Sequence, residues 1–374
     1  MTTSTSSSTQ NISVGIIFGG KSAEHEVSLR SALNIINAID TNRYKPVLIA
    51  VEKSGRWFLV DASSVVAHSD DPSRISLNLE NAKQVVLAPQ SEGSLVSLET
   101  QEVVAKIDVA FPVLHGTFGE DGTVQGLLKL ANIPFVGASV LGSAVGMDKD
   151  VMKRLLRDAK IPIGKFLTHT AKDLPSIEEI EKSLGLPFFV KPANMGSSVG
   201  VSKVSETSQF EDAVRNAFLY DSKILLEENI VGREIECSVL GNEDPVASVL
   251  GEVIPHHDFY SYEAKYLDEN GAGLEVPAKL SEVDAQRLQA LAIKTFQALC
   301  CEGLGRVDFF YTDSGEVFVN EINTIPGFTS ISMYPRLWEA SGVSYTELIH
   351  RLITFAIQRF ERERQLKTDF TALD

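Results

Sequence analysis

The chain has 374 residues, 44% of them hydrophobic, and a formal net charge of −16 from 34 Lys+Arg against 50 Asp+Glu. At about 150 residues per domain that length gives two or three domains, and the apolar content is that of a globular protein. The acidic balance excludes a dominant nucleic-acid or anionic-membrane role, which needs a cationic footprint, but not a small anionic ligand that feels only the local field.

Cys237, Cys300 and Cys301 contain no Cys-x-x-Cys pair, which argues against a disulfide framework and against a thiolate zinc site. Residues 1–11 are Ser/Thr-rich and read as a disordered tail without the apolar core of a secretory signal. No run approaches the roughly 18 apolar residues of a membrane span, so a soluble, cytoplasmic protein is expected.

In chain order, Val14–Phe18 is an apolar run closed by Gly19 and Gly20, a buried strand and turn. Leu29, Ala32, Leu33, Ile36 and Ile39 recur at helical spacing, and Pro46–Val51 is a second strand. Strand, glycine loop, helix and strand predict a βαβ unit and a parallel sheet. Residues 53–105 are weakly patterned and read as an insertion of short strands, after which Ile107–Leu114 resumes as a strand. Helices are expected at 123–131 and 148–159. Beyond them, strands at 187–191, 199–204, 224–228, 234–240 and 246–253, with one helix near 207–220, predict an antiparallel α+β module. Residues 255–277 read as a long loop, functional or disordered, 284–301 and 344–361 as helices, and 306–323 as a hairpin around Thr312–Gly315.

Gly15 to Ser22 satisfies the Walker A pattern, but Ile16, Ile17 and Phe18 are strand residues, so only Gly19–Ser22 can form a loop. A ligand at the following helix N-terminus fits better, and Glu24 and Glu26 there suit an ammonium group rather than phosphate. In Lys191 to Gly200 a strand delivers a lysine, a Gly/Ser loop follows, and a second strand returns. Small residues let backbone N–H groups approach phosphate while the lysine neutralises charge; the alternative is a tight turn with a surface lysine. In the hairpin, a four-residue turn placing Tyr311 opposite Glu316 sets Asp308 against Val319 and Arg306 against Glu321. Arg306, Asp308, Glu321 and Asn323 then share one face, and two carboxylates with an amide oxygen suit Mg²⁺ rather than zinc. A salt-bridged exposed face is the alternative. Tyr260 to Tyr266 brings aromatic and charged residues into the long loop, as in a water-excluding lid; a solvated surface loop is the alternative. His115 closes a strand and is either a ligand contact or structural; His256 and His257 read as loop residues, and Cys237 as a core cysteine.

A phosphate loop, a hard-cation face and a lid describe a nucleotide-dependent ligase or transferase outside the P-loop class. The order Gly19–Ser28, His115–Gly126, Met147-Asp148-Lys149, Lys191–Gly200, Tyr260–Tyr266, Gly305–Asp308 and Asn320–Thr329 resembles the D-alanine–D-alanine ligase family of the ATP-grasp superfamily. The resemblance runs over roughly residues 14–360. It implies a Rossmann-like parallel-sheet (pre-ATP-grasp) α/β domain at 12–147 and a two-lobed α+β ATP-grasp domain, with a central subdomain at 148–233 and a C-terminal one at 234–366. The implied reaction joins two D-alanine molecules through a D-alanyl phosphate, with ATP and Mg²⁺, two ions, replaceable by Mn²⁺.

By the same resemblance Lys149, Lys191 and Lys265 contact phosphates, and Glu227 and Glu234, with Glu228 beside them, bind adenine and ribose. Asp308, Glu321 and Asn323 ligate the metal. Glu24 takes the first D-alanine's ammonium in a network with Ser197 and Tyr266, with His115 a further substrate contact. Arg306 and the Gly327 N–H face the tetrahedral oxygen, and Ser332 the second substrate's carboxylate. An intact Ser261–Tyr266 lid favours an amine nucleophile over D-lactate. A homodimer in the bacterial cytoplasm, serving peptidoglycan synthesis, is the family expectation. The competing readings are a relative using D-serine or D-lactate, a P-loop enzyme working through Lys21, and a non-catalytic nucleotide-binding regulator.

Overall fold

The computed structural model describes residues 11–61, 66–67, 75–255 and 272–367. Strand β1 (Ile12–Gly19), helix α1 (His25–Ala38) and strand β2 (Tyr44–Val51) form the expected βαβ unit, with β1 and β2 parallel from Ile12 opposite Tyr44 to Gly19 opposite Val51. Short strands follow: β3 (Trp57–Val60), the small pair β4 (Val66–Ala67) and β5 (Ser76–Leu77), β6 (Lys83–Leu87), β7 (Ser94–Ser97) and β8 (Val103–Lys106). Strand β9 (Val109–Val113) then pairs parallel to β1 on its other side. The sheet order is β8-β7-β6-β3-β2-β1-β9, so only the β2-β1-β9 heart is parallel. That heart is buried on both faces. Val14, Ile16 and Phe18 pack in one core with Leu29 and Ile35, and Ile17 packs in another with Leu114 and Leu128.

The C-terminal ends of β1 and β9 emit neighbouring loops, where open α/β sheets place ligands. Gly19 has φ +95, and a Cβ there would lie 2.2 Å from the Val51 carbonyl oxygen, so the turn out of β1 requires glycine.

Helices α2 (Thr123–Leu130), α3 (Val140–Met147) and α4 (Lys149–Asp158) come next. The Asp148 side chain accepts from the N–H groups of Asp150 and Val151 and caps α4. A four-stranded antiparallel sheet, ordered β10-β13-β11-β12, is built from β10 (Phe166–Thr170), β11 (Phe188–Pro192), β12 (Ser202–Val204) and β13 (Lys223–Glu228). Helices α5 (Ile177–Leu184) and α6 (Phe210–Phe218) cover it. A five-stranded antiparallel sheet follows in the order β16-β15-β14-β17-β18, from β14 (Arg233–Gly241), β15 (Val246–Pro255), β16 (Ala272–Glu275), β17 (Gly303–Tyr311) and β18 (Val317–Asn323). Helix α7 (Glu282–Ala298) packs on this sheet, and α8 (Met333–Ala340) and α9 (Tyr345–Arg364) follow.

Three readings change. Helix α3, strand β10 and helix α5 lie where no element was expected, and β12 begins at Ser202 rather than 199, leaving a longer loop at 193–201. The end of the long loop at 255–277 is strand β16, paired to β15 through Glu252 opposite Glu275. Residues 256–271, including His256, His257, Lys265 and Tyr266, lie outside the described residues, as does the tail before Asn11. Cys237 is a core residue, with burial pushing its thiol up to about 12. Among the described residues no helix is long and apolar enough to cross a membrane.

Candidate active site

A cleft of about 1200 Å³ opens where the three sheets meet, and every site residue implied by the resemblance within the described chain lines it. Glu26, the second carboxylate read as an ammonium acceptor, does not: it pairs with Lys53 at 2.6 Å. On the first wall, Glu24 sits just before α1, buried, and its Oε1 accepts the Ser197 hydroxyl proton from the Gly/Ser loop. Side chains at Gly116 and Gly196 would lie 2.5 and 2.9 Å from Glu24 Oε2, so both glycines make room for this carboxylate. His115 is buried at the end of β9. Its Nδ1 lies 2.9 Å from the Ile325 carbonyl and its Nε2 lies 3.0 Å from Ser31 Oγ. A carbonyl only accepts, so Nδ1 carries the proton and the Ser31 hydroxyl donates to Nε2. Ser31 Oγ in turn accepts the Phe328 N–H at 3.2 Å. Burial lowers the His115 pKa despite nearby Glu24, so a neutral ring spans α1, β9 and the 325–328 loop.

The second wall holds the lysines. Lys191 leaves β11 and pairs with Glu227 Oε2 of β13 at 2.6 Å. Lys153, one turn after Lys149 in α4 and only 1% exposed, pairs with the other oxygen, Glu227 Oε1. Burial alone would raise the Glu227 carboxyl, but Lys153 and Lys191 together hold it down to about 2. Burial likewise opposes charge on Lys191, and Glu227, Glu321 and Glu234 overcome it and raise its pKa. Lys149 Nζ donates to the Met195 carbonyl at 2.9 Å and pairs with Glu321 at 3.2 Å. The 193–201 loop holds Ser197 and Ser198 at φ 50 and 60, a left-handed conformation that is costly for residues with a Cβ and collects at ligand sites. Glu228 lines the cleft, but its Oε1 accepts the Lys165 N–H at 2.7 Å.

The third wall is the β17–β18 hairpin, and its register differs from expectation. Tyr311 pairs with Val317 rather than Glu316, which in a regular ladder would set Asp308 opposite Asn320 and turn Glu321 away. A β-bulge intervenes: Phe309 pairs with Val319, then Asp308 with Glu321 and Arg306 with Asn323. Asn320 is the extra residue, and the bulge restores Arg306, Asp308, Glu321 and Asn323 to one face. Arg306 is bidentate on Asp308, Nε to Oδ1 and Nη2 to Oδ2, both at 2.7 Å. Asn323 Nδ2 donates to Asp308 Oδ2 at 3.0 Å. Two carboxylates and an amide oxygen fit a hard divalent cation. Among the described residues no three His, Cys, Asp or Glu side chains converge as a metal cluster; Asp308 faces Arg306 and Glu321 faces Lys149. The loop after β18 brings Gly327 to Ser332, whose Oγ accepts the Thr329 N–H at 3.0 Å and precedes α8. A Cβ on Gly327 would lie 2.9 Å from that Ser332 oxygen.

Sequence reasoning missed Ser31, Glu120, Lys153 and Glu236. Lys153 had a signal, since it stands four residues after Lys149 on one helix face. The Walker-like stretch is no phosphate loop: Ile16–Phe18 are buried in β1, and Lys21 Nζ lies 4.7 Å from the Phe118 ring centre.

Comparison with known proteins agrees with this architecture. Residues 13–138 match the family model D-ala D-ala ligase N-terminus, and residues 155–354 the model D-ala D-ala ligase C-terminus. The chain is 55% identical over 357 residues to a D-alanine–D-alanine ligase of Oceanobacillus iheyensis, covering 95% of this chain and 98% of the relative. It is 50% identical over 361 residues to D-alanine–D-alanine ligase A of Escherichia coli K12, covering 96% and 99%. Among solved structures, the D-alanine-D-alanine ligase from Coxiella burnetii superposes with a TM-score of 0.83 at 38% identity, over 95% of this chain and 96% of that one. The VanG D-Ala:D-Ser ligase from Enterococcus faecalis superposes with a TM-score of 0.81 at 36% identity, over 93% and 100%. With both halves matched in order and the cleft at their junction, the chain belongs to the D-alanine–D-alanine ligase family of ATP-grasp enzymes.

Proposed function

We propose that the cleft joins two D-alanine molecules into D-alanyl-D-alanine, with ATP converted to ADP and phosphate. The observation that carries this reading is the meeting of an ammonium acceptor, a lysine-lined loop and a carboxylate–arginine hairpin in one cleft of a chain 55% identical to such a ligase.

A carboxylate is a poor electrophile, so the first D-alanine attacks the γ-phosphorus of ATP through its carboxylate oxygen and ADP leaves. The second substrate's amine then attacks the acyl carbon, the tetrahedral oxyanion collapses, phosphate departs, and the amine loses a proton. Glu24, held by Ser197, takes the ammonium of the first D-alanine, and His115 shapes that subsite through the 325–328 loop. Lys149 and Lys191 neutralise ATP phosphates, with Lys265 as a third. Glu227 and Glu234 accept hydrogen bonds from adenine and ribose; Glu228 stands beside them. Arg306 and the Gly327 N–H stabilise the tetrahedral oxygen. Ser332, at the start of α8, binds the second carboxylate, and Tyr266 completes the Glu24–Ser197 network. Asp308, Glu321 and Asn323 are the groups to hold Mg²⁺ or Mn²⁺, two ions by family expectation. A cation held by these residues would supply charge stabilisation to the transferring phosphoryl group.

The three units at 12–147, 148–233 and 234–366, a homodimer and a cytoplasmic setting belong to the same proposal; the role in bacterial cell-wall synthesis is implied by the family. Phosphate release with D-alanine alone, then with D-alanine plus D-serine or D-lactate, tests the substrate. D-alanine alone should suffice and should outcompete D-lactate near neutral pH; preference for D-lactate, or no D-alanine-dependent ADP, overturns the reading.

A further inference from the structure

Arg306 is shared by two carboxylates on neighbouring strands. Its Nε lies 2.7 Å from Asp308 Oδ1 and 2.9 Å from Glu236 Oε2. Glu236 stands on β14 directly opposite Asp308 of β17, and only 9% of it is exposed. One guanidinium therefore serves two anions, one buried and one half-buried.

We propose that Glu236 is a positioning residue that takes over Arg306 when Asp308 turns to a divalent cation; this rests on Asp308 being a metal ligand, as proposed above. The bidentate contact occupies both oxygens of Asp308, with Asn323 Nδ2 on one of them as well. A cation bound to Asp308 needs one of those oxygens and sets positive charge against the guanidinium. Arg306 cannot simply withdraw, because its side chain is 18% exposed and an unpaired cation there would be costly. Glu236 is already in contact, so the exchange needs a small side-chain rotation and no new partner. It leaves Arg306 in the cleft with its other N–H groups turned to an anionic oxygen. Without Glu236, Arg306 holds to Asp308 and competes with the metal.

The test is Mn²⁺ titration of the full-length enzyme, followed by the paramagnetic resonance of free Mn²⁺. The enzyme is kept saturated with a non-hydrolysable ATP analogue, whose own Mn²⁺ affinity is common to every variant. Glu236→Gln keeps the shape and removes the charge, and should weaken Mn²⁺ binding roughly tenfold, as expected for groups coupled by about 1.4 kcal/mol. In an Arg306→Met background the same substitution should change Mn²⁺ binding less than about twofold, because the competing guanidinium is gone. Unchanged affinity in Glu236→Gln overturns the exchange. A full tenfold loss that persists in the Arg306→Met background also overturns it, since Glu236 would then act on the ion directly. Asp308→Asn separates the two levels: if it leaves Mn²⁺ affinity unchanged, Asp308 is no ligand, and that reading fails along with the exchange resting on it. A melting temperature matching wild type excludes misfolding as the source of any loss.

Discussion

Glu120 holds Ile325 across two parts of the fold: its Oε1 accepts the Ile325 N–H at 2.9 Å while Oε2 accepts the Gly116 N–H at 2.8 Å. The same Ile325 residue gives its carbonyl to His115, so the loop that carries Gly327 is clamped through both backbone groups. Burial, with Glu24 adding to it, pushes the Glu120 carboxyl up to about 8 even though two N–H groups favour its charged form. A carboxyl raised on folding stabilises the protein fully below its unfolded pKa and loses that contribution as pH rises towards 8. Denaturant midpoints of wild type against Glu120→Gln, taken across pH 5 to about 8.5, should therefore show wild type losing ground as pH rises. A pH-independent difference would refute the shift. Because Gln presents an N–H₂ group to one of the two backbone donors, we also expect kcat to fall about tenfold while the KM for ATP stays near wild type.

Ser31 has no charge and no place in the chemistry, yet it joins the Phe328 N–H to His115 Nε2 from inside α1. Ser31→Ala leaves a buried N–H without an acceptor and the imidazole without its donor, at about 1–3 kcal/mol each way for an orphaned group. The expected outcome is a stability loss of that size and a raised KM for D-alanine, read from urea midpoints and steady-state kinetics. A variant as stable as wild type would mean water replaces the hydroxyl.

The lysine of the Walker-like stretch and the lysine of the strand–loop–strand make opposite predictions. Lys21 lies against Phe118, outside the large cleft, whereas Lys191 points into it. Lys21→Ala should leave ATP affinity within about twofold, and Lys191→Ala should weaken it about 10- to 100-fold, the range of a charge-assisted contact of about 1.5–3 kcal/mol. The reverse pattern in nucleotide-binding titrations would overturn the phosphate assignment.

How much of this was legible follows from how local each cause is. The β1–α1–β2 unit could be read because an apolar run, two glycines and a helical stripe are local signals. Helix α3 could not: Gly142 and Gly146 make it a weak helix former, and both exist because α3 packs against distant backbone and side chains, a Cβ at Gly142 lying 2.5 Å from the Cys300 carbonyl oxygen. Helix α5 was readable in principle, since Ser176 and Glu179 form a capping box, as the sequence spacing suggests. The hairpin face was reached with the wrong register, because a bulge at Asn320 leaves no mark in the sequence beyond two consecutive polar residues, Asn320 and Glu321. Most cleft residues were found through ordered motifs. Ser31 and Glu236 were not, because their partners stand far away along the chain, and Glu120, although inside the His115–Gly126 motif, was given no role because its contact to Ile325 is equally remote in sequence.

Lys153 offers the sharpest test of the buried charges. Glu227 lies between Lys153 and Lys191, and Glu227 and Lys153 are both buried while Lys191 is half-buried. Removing one partner of a buried pair costs about 3–5 kcal/mol when it strands the other charge. Here Lys191 remains, so Lys153→Met should cost less, about 2–3 kcal/mol by the same reasoning. The acid limb should move as well. Glu227 is held at about 2 against an ordinary 4.5, so its stabilising contribution is complete above 4.5 and disappears as pH falls through 2. With Lys153 gone, the folded-state pKa rises towards the ordinary value, and acid unfolding should begin at higher pH than in wild type. A freed Glu227 also draws harder on Lys191, so ATP affinity should drop although Lys153 itself is given no contact with the nucleotide. Matching acid-unfolding curves for wild type and Lys153→Met, followed by circular dichroism, would show that Lys191 alone suffices to hold Glu227 charged.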